Sequence, residues 1–170
     1  MDAEIWEQMS ESTIDDAAVP VAIGDLEELF HQHQRRLVHL AFAITLDASV
    51  AEEVVQDAFL GLHRNAHRVD NPVGYLQRSV VNTSVSVIRR RRVVGRQPRP
   101  RPESLVATSP DIDEMWARVI RLPANQRAVV VLRFWNDMTL ADIAETMERP
   151  IGSVKTWLHR ALTTLKEEFS

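Results

Sequence analysis

Apolar residues recur along this chain at three- and four-residue intervals, and no run alternates strictly for long enough to make a strand, so the pattern predicts an all-α fold. In residues 49–64, Val50, Ala51, Val54, Val55, Ala58, Phe59 and Leu62 fill one half of a helical wheel. Glu52, Glu53, Gln56, Asp57, His63 and Arg64 fill most of the other half, and Leu60 lands in the middle of it. After a break around 69–72, Leu76, Val80, Thr83 and Val87 space a further helix that ends in four arginines, Arg89 to Arg92. Nearer the C-terminus, Leu140, Ile143, Ala144 and Met147 form a short stripe opened by Thr139 and Asp142, which resemble a capping box. Pro150 then forbids continuation and disfavours helical angles at Arg149. A second helix, expected to start near Ser153, carries Val154, Trp157, Leu158, Ala161, Leu162, Leu165 and Phe169 on one arc.

The periodicity fails in one long stretch, where Pro98, Pro100, Pro102 and Pro110 each oppose a helix. This divides the chain into an acidic, flexible tail (1–24), an N-terminal helical domain (25–92), an extended Pro/Arg-rich linker (93–111) and a C-terminal helical domain (112–170). Charge follows the same divisions. The formal net charge is −4, but Asp2, Glu4, Glu7, Glu11, Asp15 and Asp16 all lie in the first 24 residues, which hold no Lys or Arg. Setting those six aside leaves the remainder at +2, with seven arginines between Arg89 and Arg101. With no cysteine, disulfides, Cys-ligated zinc and thiol catalysis are excluded. The six histidines are read as showing neither HxxxH nor HExxH spacing, and neither a metal nor any other cofactor is expected. The acidic start and the lack of a long apolar run predict a cytoplasmic protein.

Three surfaces carry candidate chemistry. The second helix of the C-terminal pair presents Lys155, Thr156, His159, Arg160, Thr163 and Lys166 opposite its apolar arc, and a short helix, tight turn and basic second helix suit the major groove. The plainer reading is a solvated amphipathic helix. Leu60, ringed by Glu53, Gln56 and Asp57, has the form of a protein-binding hot spot with a polar rim, although single exposed leucines are common. On the arginine-ended helix, Tyr75 can stack on an unpaired base and Asn82 can meet a base edge, while the arginines meet phosphates. The alternatives are a core tyrosine, a capping asparagine and arginines that merely complement the helix dipole.

These strings resemble the sigma factors of bacterial transcription initiation. Residues from Leu29 to Arg64, followed by Pro72 to Arg92, are similar to their second conserved region. The LPxxQRxVxxLR string from Leu122 to Arg133, with the helix-turn-helix after it, is similar to their fourth. With only these two domains the chain resembles the extracytoplasmic-function (ECF) group. The resemblance implies a non-enzymatic protein that joins core RNA polymerase, recognises −10 and −35 promoter elements, promotes strand opening and directs transcription of a specific regulon. It assigns Glu53, Gln56, Asp57 and Leu60 to the β′ clamp helices of the polymerase, with the β subunit as a further contact. Arg68, Asp70, Asn71, Tyr75, Gln77, Arg78, Asn82, Arg89 and Arg90 fall to the −10 element. Thr139, Ser153, Lys155, Thr156, His159 and Arg160 fall to the −35 element. It also implies an anti-sigma factor as a regulatory partner. The chain departs from the family pattern at Tyr75, where Trp is common, at Ser86, where Asp usually precedes the arginines, and at Leu46, where Gly usually precedes Asp47. Trp157 and His159 also differ from common choices, so the promoter sequence does not follow by analogy.

Two other functions share parts of this pattern. An autonomous helix-turn-helix regulator would need a sensor or receiver domain, for which 25–92 offers no phosphoacceptor strand pattern. A purely protein-binding helical adaptor would leave the arginines as a solvated tract.

Overall fold

The computed structural model describes residues 23–93 and 110–167, and every regular element among them is helical. The acidic stretch 1–22, residues 94–109 of the expected linker, and Phe169 lie outside the described residues. The elements are α1 (Ile23–Thr45), α2 (Ala48–Asn65), a 3-10 turn (Ala66–Arg68), α3 (Pro72–Val93), α4 (Pro110–Val119), α5 (Ala124–Phe134), α6 (Leu140–Thr146) and α7 (Ile151–Glu167). No described helix is long and apolar enough to cross a membrane.

Local chemistry sets each corner. At the end of α1, Leu46 takes a positive φ of 59°, and its N–H donates to the Phe42 carbonyl at 2.8 Å. Asp47 then caps α2 by accepting from the Val50 N–H at 3.1 Å. The Asn71 side chain accepts from the Gly74 N–H at 2.8 Å, so α3 begins at Pro72, where a missing donor is harmless. Thr139 and Asp142 form the reciprocal capping box that opens α6. In the turn after α6, Glu148 has φ 53°, and the Arg149 N–H returns to the Ala144 carbonyl at 2.9 Å. The last helix begins at Ile151, two residues before the expected Ser153. The Pro150 carbonyl accepts from the Ser153 and Val154 amides at 2.9 and 3.3 Å, and this completes its first turn.

Three apolar clusters hold the helices together. The first joins Leu37 and Ala41 of α1, Leu76 and Val80 of α3, and all seven apolar-half residues of α2, with Phe30 edge-on to Phe59 at 5.0 Å. A further cluster, of Val119, Leu122, Val130, Ala161 and Leu165, closes α4, α5 and α7, and Trp116 meets Trp135 edge-on at 5.4 Å. Between them lies a cluster that crosses from one half of the chain to the other. It contains Leu40, Ala43 and Ile44 of α1, Val81 of α3, Ala128, Val129, Val131 and Leu132 of α5, Ile143 of α6, Met147, and Val154 of α7. Each fully buried aliphatic side chain here contributes roughly 1.5–3 kcal/mol, so the two halves are packed together and not merely adjacent.

Candidate nucleic-acid and polymerase interfaces

The apolar half of α2 is buried to the last residue, which fixes the rotation of the helix about its axis. Glu53, Gln56, Asp57 and Leu60 are therefore held together on the solvent side, and Leu60 is 51% exposed. Asp47 anchors the start of this helix and also pairs with Arg91 of α3 at 3.1 Å. Burial pushes the Asp47 carboxyl up, but hydrogen bonds from the Val50 amide and Arg91, the Arg91 charge and the Ser49 amide together outweigh it and hold the group below its ordinary range. One member of the arginine run thus has a structural partner in α2. Arg89 and Arg90 stay exposed.

The candidate −10 residues divide into two sets. Arg68, Asp70 and Asn71 stand exposed in the corner before α3, although the Asn71 side-chain oxygen is occupied as a cap. Tyr75 is half-buried against the first cluster, and its hydroxyl lies so close to Gly61 that a Cβ there would sit 2.8 Å away. Gly61 is what lets the ring lie across α2. The middle of α3 faces the C-terminal half. Gln77 is buried and its Nε2 meets the Met138 Sδ at 3.3 Å. Arg78 pairs with Glu145 at 3.5 Å, and the Asn82 amide donates to the Thr146 carbonyl at 3.0 Å.

On α7, Val154, Ala161 and Leu165 are buried, while Trp157, Leu158 and Leu162 are half-buried. Lys155, Thr156, His159 and Arg160 project to solvent on the other side, and Ser153 is half-exposed at the start. The Thr156 hydroxyl donates back to the Gly152 carbonyl at 2.9 Å. Thr139 is exposed, but its hydroxyl is engaged with Asp142 in the capping box. The basic face is continuous and bears no described ion pair.

Motif reading missed two features. His63 and His67 are four residues apart, but α2 ends at Asn65 and His67 sits in the 3-10 turn, so the pair does not share a helical face. No group of three His, Cys, Asp or Glu among the described residues could hold a metal ion. Arg127, inside the LPxxQRxVxxLR string, is only 4% exposed. Its Nε donates to the Ile44 carbonyl at 3.0 Å, and one terminal nitrogen donates to the same oxygen. The other terminal nitrogen donates to the Ile120 and Leu122 carbonyls at 3.0 and 2.8 Å. Nothing in the string signals a buried donor, because the partner on α1 is 83 residues away and leaves no local trace.

Comparison with known proteins gives the family of both halves. Residues 29–93 match the family model for sigma-70 region 2, and residues 112–165 match that for sigma-70 region 4. The chain is 30% identical to the RNA polymerase sigma-E factor of Streptomyces coelicolor over 85% of each protein. It is also 30% identical to the ECF RNA polymerase sigma factor SigM of Mycobacterium tuberculosis, over 82% of this chain and 74% of that one. A similar fold, with TM-score 0.64 and 21% identity, occurs in the sigma factor RpoE of Bartonella quintana, solved with the anti-sigma factor NepR; it covers 85% of this chain and 96% of that one. The chain belongs to the sigma-70 family of RNA polymerase sigma factors, in its extracytoplasmic-function group. Members of this family are transcription initiation factors and not catalysts.

Proposed function

We propose that this sigma factor binds core RNA polymerase in the cytoplasm through the α2 face of Glu53, Gln56, Asp57 and Leu60, and directs initiation from promoters read at two places. The α6–α7 helix-turn-helix docks at the −35 element, where Lys155, Thr156, His159 and Arg160 meet phosphates and base edges. The corner before α3 and the middle of that helix capture unpaired −10 bases, offsetting a few kcal/mol of unstacking per base step. An anti-sigma factor covering these surfaces is the proposed regulatory partner. The observation that carries this reading is the division of α7: a buried apolar side packed on α5 and α6, and an opposite side that presents Lys155, Thr156, His159, Arg160, Thr163 and Lys166 to solvent. Such a face on the second helix of a helix-turn-helix is suited to the major groove. In vitro transcription with core polymerase on a promoter library tests it. Start sites that share two spaced elements and depend on this chain are expected, and a library with no dependent transcript under any condition would sink the assignment.

A further inference from the structure

Two glycines sit inside helices at points where the backbone has no use for one. Gly61 lies one turn before the end of α2 and Gly74 in the first turn of α3, and neither takes the left-handed backbone that favours glycine. Glycine is the poorest helix former after proline, so alanine would serve the helix better at either place. What each position lacks is room for a Cβ. At Gly61 that atom would stand 2.8 Å from the Tyr75 Oη, closer than an unbonded carbon and oxygen normally approach. The Tyr75 Cζ and Cε1 would lie at 3.8 and 3.9 Å, in ordinary contact. At Gly74 it would come to 3.0 Å from the Asn71 Cγ and Nδ2, whereas a Cβ at Gly152 meets nothing within 4 Å. The atoms that crowd the first two glycines thus belong to Tyr75 and Asn71, two residues of the proposed −10 set.

Resting on the sigma-factor reading above, we propose that Gly61 is a positioning residue for strand capture: by leaving out a side chain on α2, it sets the height and tilt of the Tyr75 ring at the −10 corner. The hydroxyl is the stop. With Oη resting on α2 at Gly61 and the ring packed against the first cluster, the tyrosine is posed before any base arrives, and stacking need not be organised at the moment of capture. Tyr75 is only half-buried, so part of the ring stays open to a base. The Asn65 amide donates to the Gly61 carbonyl at 2.8 Å, which fastens the last turn of α2 where the ring bears on it. Gly74 does the same for Asn71, whose side-chain oxygen holds the Gly74 N–H at 2.8 Å. Leu60, next to Gly61 in sequence, projects to solvent, so the seat and the polymerase face share a helix but not a side chain.

Gly61→Ala separates the seat from the fold. The crowded atom is the far end of a side chain, so the ring should tilt while the helices stay together, and the better helix former should leave the thermal midpoint unchanged or higher. Tyr75 is the only tyrosine, so protein carrying isotope-labelled tyrosine gives one set of ring signals by NMR. Gly61→Ala should shift them, and unshifted signals overturn the contact. In holoenzyme on a promoter recovered from the library, permanganate reactivity of unpaired −10 thymines should fall about fivefold, the scale of weakening one base–aromatic stack. Retention of the variant on immobilised core polymerase should not change. Tyr75→Phe supplies the background that tells positioning from damage, because without Oη the nearest ring atom lies 3.8 Å from the new Cβ. Whatever that change does alone, adding Gly61→Ala to it should cost less than about a further twofold. Undiminished reactivity in Gly61→Ala, an equal loss in both backgrounds, or a loss that tracks polymerase retention overturns the proposal. An unaltered chain that neither stays on core polymerase nor opens any promoter fails the sigma-factor reading itself and takes the proposal down with it, a result distinct from the others.

Discussion

Replacing Arg127 with methionine would preserve much of the aliphatic volume and remove every guanidinium hydrogen bond. Three carbonyls, of Ile44, Ile120 and Leu122, would lose a charged donor in a region that water reaches poorly. Hydrogen bonds to charged groups contribute about 1.5–3 kcal/mol each, and an unsatisfied buried acceptor costs about 1–3 kcal/mol. Partial water entry and the methionine side chain offset part of this, so a net loss of about 3–5 kcal/mol is expected. Urea denaturation followed by far-UV circular dichroism measures the change, and the thermal midpoint should fall by roughly 10 °C. Arg127→Lys tests the geometry separately: one ammonium cannot reach both Ile44 on α1 and the Ile120–Leu122 turn, so most of the loss should persist despite the retained charge. A loss below about 1 kcal/mol for the methionine variant would refute the claim that this side chain ties the halves together.

Asp47→Ala should cost about 1–2 kcal/mol through the lost cap and the lost Arg91 pair, whereas Asp47→Asn, which still caps, should cost less than about 1 kcal/mol. Because the folded carboxyl titrates below its ordinary 3.8, its stabilisation is present above that value and disappears as pH falls toward the lower folded one; a gap between wild type and Asp47→Asn that does not narrow from neutral pH to pH 3 would contradict this. Glu148→Gly relaxes the positive φ of an exposed residue and should raise stability by about 0.5–1 kcal/mol, read by thermal melting; a lower midpoint would argue against strain at that corner. Leu60→Asp should remain folded yet lose core polymerase in a pull-down, and retained binding would clear α2 of that role. Arg160→Ala should reduce transcription most from promoters that depend on −35 contact, with unchanged output removing α7 from recognition.

Helices packed by one face are legible in residue spacing alone. The apolar half of α2 reads directly from that spacing, because all seven of its members meet partners on one side. The same logic locates the basic side of α7. It fails for α3, which is buried on two sides. Leu76 and Val80 face α1 and α2, but Val81 is also inaccessible because α5 and α6 pack on the next side round. Periodicity within one segment cannot reveal a partner supplied from more than 40 residues away. The same limitation hides the engagement of Gln77 and Asn82. Leu46 is legible in a different way: the family pattern favours glycine there, and the observed φ of 59° is the conformation glycine adopts without strain. The two-residue shift at the start of α7 reflects capping by a backbone carbonyl, which side-chain signals do not disclose.

The placement of the aromatic residues has a practical optical consequence. Three of the four tryptophans, Trp116, Trp135 and Trp157, lie in the C-terminal half, and the lone tyrosine, Tyr75, lies in the N-terminal half. Trp116 and Trp135 touch both the shared cluster and the C-terminal one, so their ultraviolet emission is tuned by the solvent that enters when that region loosens. With Trp6 replaced by phenylalanine, every indole would lie in the C-terminal half, so fluorescence would report that half and the seam it shares with the other, without any attached label.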